Sequence, residues 1–111
     1  MTDLGSASIV TVYATFADAG EAARIARALV EERLAACANI LGPCRSIYRW
    51  EGRIEDSHEV AALLKTRADR AEALIARLAE LHSYDVPAAV VWPIAAATPS
   101  YADWVRSATL R

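Results

Sequence analysis

The chain has 111 residues, of which 55% are apolar, and its formal net charge at pH 7 is −2. This length corresponds to one domain. Because twelve Lys and Arg residues are scattered among fourteen Asp and Glu residues, the sequence lacks the basic patch that binds nucleic acid or an anionic membrane surface. We therefore expect neither nucleic acid nor a membrane among its partners.

The N-terminal residues MTDLGSAS have neither the basic start nor the apolar run of a secretory signal. The longest apolar stretch, residues 86–97, contains two prolines and is too short to span a bilayer. Two cysteines, Cys37 and Cys44, are too few for a disulfide framework. These features favour a cytoplasmic location with reduced thiols. We expect residues 1–7 to be a flexible tail and residues 8–111 to form a single domain.

The first part of the chain predicts a strand followed by a helix. Residues 8–15, SIVTVYAT, are rich in β-branched residues and carry apolar groups on both faces of the predicted strand. Asp18 with Glu21 three residues later is a capping-box pattern that marks a helix start. Apolar residues then recur at helical spacing as far as Leu34, with charged residues mostly opposite them.

The middle of the chain predicts a long hairpin. An extended segment follows the helix, with a bend at Gly42-Pro43 and a tight turn at Glu51-Gly52. In the returning strand, alternate positions are apolar. One face carries Val60 and Leu64, and the other carries mostly apolar residues with a few charged ones.

The last third of the chain predicts a helix, a strand and a short terminal helix. Thr66 and Asp69 form a second capping pattern, and leucines at helical spacing follow it. The segment VPAAVVWPI predicts a strand that its prolines confine to a sheet edge or a bulge. Pro99 starts the terminal helix, in which Tyr101 and Trp104 form an aromatic stripe expected to pack into the core.

The predicted order is β-α-β-β-α-β plus a C-terminal helix, which is an α+β, ferredoxin-like sandwich. Right-handed crossovers would place two helices on one face of a four-stranded antiparallel sheet. The strands are nevertheless apolar on both faces, and the terminal helix is too short to cover a whole sheet. Because a soluble monomer rarely exposes so large an apolar patch, we expect the chain to self-associate.

Five segments resemble the CutA family, the divalent-cation tolerance proteins, and they occur in the same order and spacing as in that family. They are ERLAACANI (32–40), SIYRWEGRIE (46–55), LLKT (63–66), LHSYDVP (81–87) and PSYADWV (99–105). The resemblance implies a cytoplasmic homotrimer of ferredoxin-like subunits whose long hairpins pack across subunit boundaries. It also implies a response to divalent metal ions, with copper (Cu²⁺) bound weakly and no cofactor held tightly.

His82 and Cys37 are the candidate metal ligands, since imidazole and thiolate both suit copper. The alternative for His82 is a helix C-terminal residue that satisfies free carbonyl groups. The alternative for Cys37 is a small residue buried at the end of the first helix. Two positions depart from the family pattern. Ala14 stands where some members have a cysteine, and Leu81 stands where some have a second histidine.

A cleft between subunits is the second candidate site. Glu59 and Lys65 lie on an otherwise apolar face of one strand, and buried charges are costly unless they are paired. We expect Trp50, Glu59, Lys65 and Tyr84 to line this cleft together with His82. The alternative is a solvated hairpin end.

The predicted trimer interface consists of Tyr48, Trp50 and Glu51, beside the hairpin turn. Tyrosine and tryptophan suit an interface because each joins a large apolar body to a polar tip.

The sequence favours binding or signalling over catalysis. It contains no G-x-S-x-G, no P-loop and no Rossmann glycine pattern. One alternative is a signal-transduction trimer similar to the nitrogen-regulatory PII proteins. Such a trimer would bind a metabolite or nucleotide in clefts between its subunits, and Lys65 would hold a phosphate group of that ligand. The lack of a long flexible loop between the second and third strands counts against it. Another alternative is a small enzyme with His82 as acid or base.

Overall fold

The computed structural model describes residues 7–110, so most of the predicted tail, residues 1–6, lies outside the described residues. The element order is the predicted one. The elements are β1 (Ile9–Phe16), α1 (Ala19–Glu31), β2 (Cys37–Trp50), β3 (Arg53–Arg67), α2 (Ala71–Leu81), β4 (Ala89–Pro93) and α3 (Pro99–Ala108). One turn of 3-10 helix, Ala68–Arg70, joins β3 to α2.

The four strands form one antiparallel sheet in the order β2-β3-β1-β4. This arrangement confirms the ferredoxin-like α+β prediction. The edge position of β4 agrees with its proline content, because a proline cannot donate to a second neighbouring strand. No helix within residues 7–110 combines the length and the apolar character needed to cross a bilayer.

The main core lies between the sheet and the two helices α1 and α2, which cover one face. Alternate residues of β1 and β3 point into it, so that Val12 lies opposite Leu64 in the ladder. These residues meet the apolar stripes of the two helices. The fully buried large side chains of this core are Val12, Phe16, Ile25, Leu29, Leu64, Leu74 and Leu78.

The predicted cap of α1 is confirmed. The Asp18 Oδ1 atom accepts a hydrogen bond of 2.8 Å from the Glu21 main-chain N–H. The reciprocal bond is displaced by one residue, because the Glu21 carboxylate accepts from the main-chain N–H of Ala17 at 3.0 Å. Both interactions satisfy N–H groups that a helix start would otherwise leave unpaired.

The predicted cap of α2 is wrong. Strand β3 continues to Arg67, so Thr66 is a sheet residue paired with Val10, and its buried hydroxyl has no hydrogen-bond partner among residues 7–110. Asp69 forms an ion pair with Arg67, at 2.6 Å between Oδ2 and Nη2. Neither α2 nor the short turn before it has a side-chain cap.

Among the described residues, the second face of the sheet, called here the open face, is covered only at one end. There α3 packs Ala102 and Val105 against Ile9 and Ala36 in a small second core. The expectation that Tyr101 and Trp104 pack into the core is wrong, since they are 36% and 47% exposed. The buried stripe of α3 is shifted by one position from the aromatic one.

The hairpin of β2 and β3 extends well beyond the other strands and contributes to a longest dimension of 50 Å. At its tip Glu51 and Gly52 have φ values of 50° and 79°, as a tight two-residue turn requires. The predicted bend at Gly42-Pro43 is a bulge within one continuous strand, since the register shifts between Ile40 and Pro43. We call residues 43–60 the distal hairpin.

Candidate functional site

His82 follows α2 directly and is buried against β1. Its Nε2 atom donates to the Thr15 carbonyl at 2.8 Å, and its Nδ1 atom accepts from the Tyr84 main-chain N–H at 3.1 Å. This pattern requires the neutral ring with its proton on Nε2. The ring also stacks on Phe16, with 5.1 Å between centroids. Since both nitrogens are engaged, a metal ion could bind His82 only by replacing one of these hydrogen bonds.

Tyr84 connects this histidine to the base of the distal hairpin. Its hydroxyl donates to the Glu59 Oε2 atom at 2.8 Å, and Glu59 itself is buried. Burial, followed by the hydrogen bond to this carboxylate, holds the pKa of Tyr84 well above its usual value. The phenol therefore stays a donor, which stabilises a carboxylate removed from water.

Glu21 completes the cluster, although its spacing in the sequence predicts only a cap. Its Oε2 atom accepts the Ser83 main-chain N–H at 3.0 Å. Burial raises the pKa of Glu21, but hydrogen bonds from Ser83 and Ala17 outweigh that effect, and the pKa lies below its usual value. We call Glu21, Glu59, His82 and Tyr84 the His82 cluster.

The chemistry of the His82 cluster is that of a fixed hydrogen-bond network. Two buried carboxylates each accept bonds, and one neutral imidazole joins two main-chain groups. The network ties α1, β1, β3 and the segment after α2 together. Two predicted cleft residues, Glu59 and Tyr84, and the predicted ligand His82 are thus brought into one place.

Cys37 and Lys65 lie elsewhere on the sheet. They face each other across β2 and β3 in the ladder. The Cys37 Sγ atom is 3.3 Å from the Tyr101 hydroxyl oxygen. Burial, with a contribution from this contact, raises the pKa of Tyr101 to about 12. The Lys65 ammonium donates to the Asn39 Oδ1 atom at 2.5 Å.

The two predicted metal ligands are not neighbours within one chain. Cys37 belongs to the ladder row that contains Thr11 of β1, whereas His82 contacts Thr15. Four residues of strand separate these rows by about 13 Å. Within residues 7–110, no group of three or more His, Cys, Asp or Glu side chains is arranged to hold a metal ion. Metal binding by these two residues stays a prediction.

The predicted interface residues lie at the tip of the hairpin. Trp50 and Tyr48 are about half exposed, and Glu51 occupies the turn. Trp50 pairs with Arg53, which is six residues along β3 from Glu59, or about 20 Å. One chain therefore does not bring Trp50 to the other predicted cleft residues. Only a neighbouring copy could complete that cleft.

These features define a class of protein: a ferredoxin-like α+β domain with an open sheet face, a long exposed hairpin and a hydrogen-bonded cluster at the hairpin base. The family model for the CutA1 divalent ion tolerance protein matches residues 10–108. The chain belongs to this family, as its five sequence segments predict.

Relatives and solved structures agree with this assignment. The divalent-cation tolerance protein CutA of Pyrococcus horikoshii is 44% identical over 97 residues, which cover 87% of this chain and 94% of the relative. The structure of CutA1 from Oryza sativa is similar with a TM-score of 0.92 and 31% identity, covering 96% of this chain and 97% of the rice chain.

A third protein bears on location. The structure of a periplasmic divalent cation tolerance protein CutA from Archaeoglobus fulgidus has a TM-score of 0.89 and 34% identity, covering 92% of this chain and 99% of that chain. The family therefore does not fix the cytoplasm as the compartment. The family match also favours the CutA family over the PII-like alternative.

Proposed function

We propose that the chain acts as a homotrimer that binds divalent metal ions, copper among them, and contributes to tolerance of such ions. The observation on which the trimer mainly rests is the amount of large apolar surface that one chain leaves open. Ile47 and Ile54 of the distal hairpin are 65% and 60% exposed, and Trp92 of the edge strand β4 is 49% exposed. Surface of this kind is typical of an interface between subunits.

The shape of the hairpin supports packing across subunit boundaries. Within the described part of the chain, residues 44–59 of the distal hairpin extend past β1 and have no neighbouring strand except each other. An isolated two-stranded ribbon is marginally stable in water. Sister chains that pack on the distal hairpin would cover its apolar side chains and would bring Tyr48, Trp50 and Glu51 to the cleft residues of another copy.

Metal binding in this proposal takes ligands from more than one copy. His82 and Cys37 of one chain are separated, so an ion held by both residue types would bridge subunits. The free thiols of Cys37 and Cys44 are compatible with a reducing compartment, and we propose the cytoplasm as the location. The role is binding or signalling rather than turnover.

Sedimentation equilibrium at micromolar protein concentration tests the assembly. The parent chain is expected to sediment as a trimer, and Trp50→Ser is expected to weaken association by tenfold or more, as loss of a central aromatic anchor does. Val30→Ser is the matched control, because Val30 is also exposed but lies on α1. A parent chain that sediments as a single subunit would overturn the trimer.

Isothermal titration with a copper salt tests the metal proposal separately. Affinity should fall in Cys37→Ala and in His82→Ala. It should be unchanged in His58→Ala, which removes an exposed imidazole of the distal hairpin. Equal affinity in all four proteins would remove the ligand assignment without affecting the trimer.

A further inference from the structure

One end of the open face carries a row of hydrogen-bond donors. The ladder register aligns Cys37, Lys65, Thr11 and Trp92 across all four strands. Side chains that are paired in this way project from the same face of a sheet. Asn39 lies on the same face two residues along β2, and its Oδ1 atom accepts from the Lys65 ammonium. We call Asn39, Lys65, Thr11 and Trp92 the donor row.

Lys65 is the single lysine of the chain, and its ammonium has no carboxylate partner among the residues that the structure describes. Within residues 7–110, no carboxylate oxygen lies within 4.0 Å of its ammonium nitrogen. The nearest acidic residue on the same face of β3 is Glu59, six residues away, or about 20 Å along the strand. Glu59 is already bound to Tyr84.

The other members of the row can donate to the same ligand. Because the Asn39 oxygen faces Lys65, its amide N–H groups are directed elsewhere and remain donors. Among the described residues, the Thr11 hydroxyl and the Trp92 indole N–H make no side-chain hydrogen bond. Beside the row, Trp92 stacks on Tyr13 with 5.1 Å between centroids and 11° between planes. The stack supplies a flat apolar wall.

We propose that the donor row binds an oxyanion, the carboxylate or phosphate group of a small molecule. Lys65 supplies the charge, Asn39 and Thr11 donate hydrogen bonds, and the Tyr13–Trp92 stack lies against an apolar part of the ligand. The donor row contains an ammonium and no carboxylate, so it favours an anionic ligand. Hydrogen bonds between an ammonium and an anion are stronger than those between neutral groups. In the proposed trimer, sister chains would cover this face, and an ammonium without a counter-charge is costly to bury. A bound anion would offset that cost, and in this respect the inference rests on the proposed function.

The single lysine makes the test direct. In protein labelled with ¹³C-lysine, one side-chain resonance reports on Lys65. We expect a saturable shift of this resonance with benzoate and with inorganic phosphate. Benzamide, which has the same ring without the charge, and chloride at the same ionic strength should produce no saturable shift. Equal responses to benzoate and benzamide, and to phosphate and chloride, would overturn the proposal.

A variant series checks that the charge is responsible. Benzoate binding, followed by the Trp92 indole N–H resonance, should weaken about tenfold or more in Lys65→Met, the loss expected for a charged hydrogen bond. Arg27→Met is the control, since Arg27 is exposed and makes no ion pair within the described residues. Equal weakening in both variants would contradict the assignment to Lys65.

Sedimentation of the same samples keeps the two proposals separate. A trimeric parent that binds neither probe overturns the oxyanion site and leaves the trimer intact. A single-subunit parent that binds benzoate overturns the trimer and leaves the oxyanion site intact. If neither probe binds and Lys65→Met dissociates the trimer, Lys65 pairs with a carboxylate of a sister chain, and the oxyanion proposal is wrong.

Discussion

The helix-covered half of the sheet and the distal hairpin are built from the same two-residue alternation, yet only one of them is complete within a single chain. In the covered half, Leu64 and Val12 are fully buried by two helices. In the distal hairpin, Ile47 and Ile54 occupy equivalent alternate positions and remain more than half exposed. The difference teaches that the strand pattern specifies an apolar face but does not specify what covers it.

The largest expected effect tests the covered half. Leu64→Ala should lower the free energy of unfolding by about 2–5 kcal/mol, because it leaves a cavity in a closed core. Ile54→Ala, the matched change in the distal hairpin, should alter association rather than the unfolding of the subunit. Denaturant titration and sedimentation of both variants measure the two effects. A loss below about 1 kcal/mol for Leu64→Ala would contradict the description of this half as self-sufficient.

The junction between the two halves is tested by Tyr84→Phe. This change removes the hydroxyl that donates to buried Glu59, and the expected loss of stability is about 1.5–3 kcal/mol, as for other hydrogen bonds to a charged group. Tyr48→Phe is the control, since Tyr48 is exposed and its hydroxyl lies 3.3 Å from Ser57 Oγ. Thermal unfolding should separate the two variants. Equal melting temperatures would show that the Glu59 bond contributes nothing.

Glu21→Gln tests the helix-covered half of the sheet, and its effect on the free energy of unfolding should depend on pH. The amide can replace only one of the two carboxylate oxygens that accept main-chain N–H groups, and the expected loss at pH 7 is about 1–2 kcal/mol. The pKa of Glu21 is lowered in the folded state. Its contribution is therefore fully present above about pH 4.3, the usual value for glutamate, and is lost as the pH falls further.

Unfolding measured from pH 7 down to pH 3 checks this dependence. The difference in stability between the parent and Glu21→Gln should shrink as the pH falls below about 4.3. A difference that stays constant over the whole range would mean that the carboxylate charge at position 21 has no role.

The smallest expected effect concerns the hairpin turn. Gly52→Ala places a Cβ atom at φ 79°, and the left-handed conformation costs a residue with a side chain about 1 kcal/mol. Gly42→Ala is the matched control, since its Cβ atom would meet nothing within 4 Å. If the two variants unfold at the same denaturant concentration, the left-handed conformation at position 52 does not require glycine.

Much of the fold could be predicted because its signals are local. The alternation around Leu64, the cap at Asp18 and the turn at Gly52 each depend on residues a few positions apart. The α2 cap failed because the same local pattern can occur inside a strand. Thr66 matches a capping residue in sequence, but pairing with Val10 removes it from the helix.

The site could be predicted less well because its contacts are long-range. His82 reaches Thr15 across 67 positions, and Glu21 reaches Ser83 across 62. No spacing rule relates such residues. Sequence reasoning found Glu59 as a charge on an otherwise apolar strand face, and His82 and Tyr84 in a segment that resembles the family. It missed Glu21 because the capping pattern already accounted for that residue.

The register shift between Ile40 and Pro43 determines how many residues β2 can lose before its side chains change faces. Cys37 and Cys44 are an odd number of positions apart, yet the extra residue lets both project from the same side of the sheet, opposite Lys65 and Glu59. Deleting one residue there would remove the bulge, restore plain alternation and leave Tyr48 and Trp50 on their present face. A second deletion would turn the rest of β2 over, so the bulge lets this strand lose one residue, but not two, without exchanging Tyr48 and Trp50 with their neighbours.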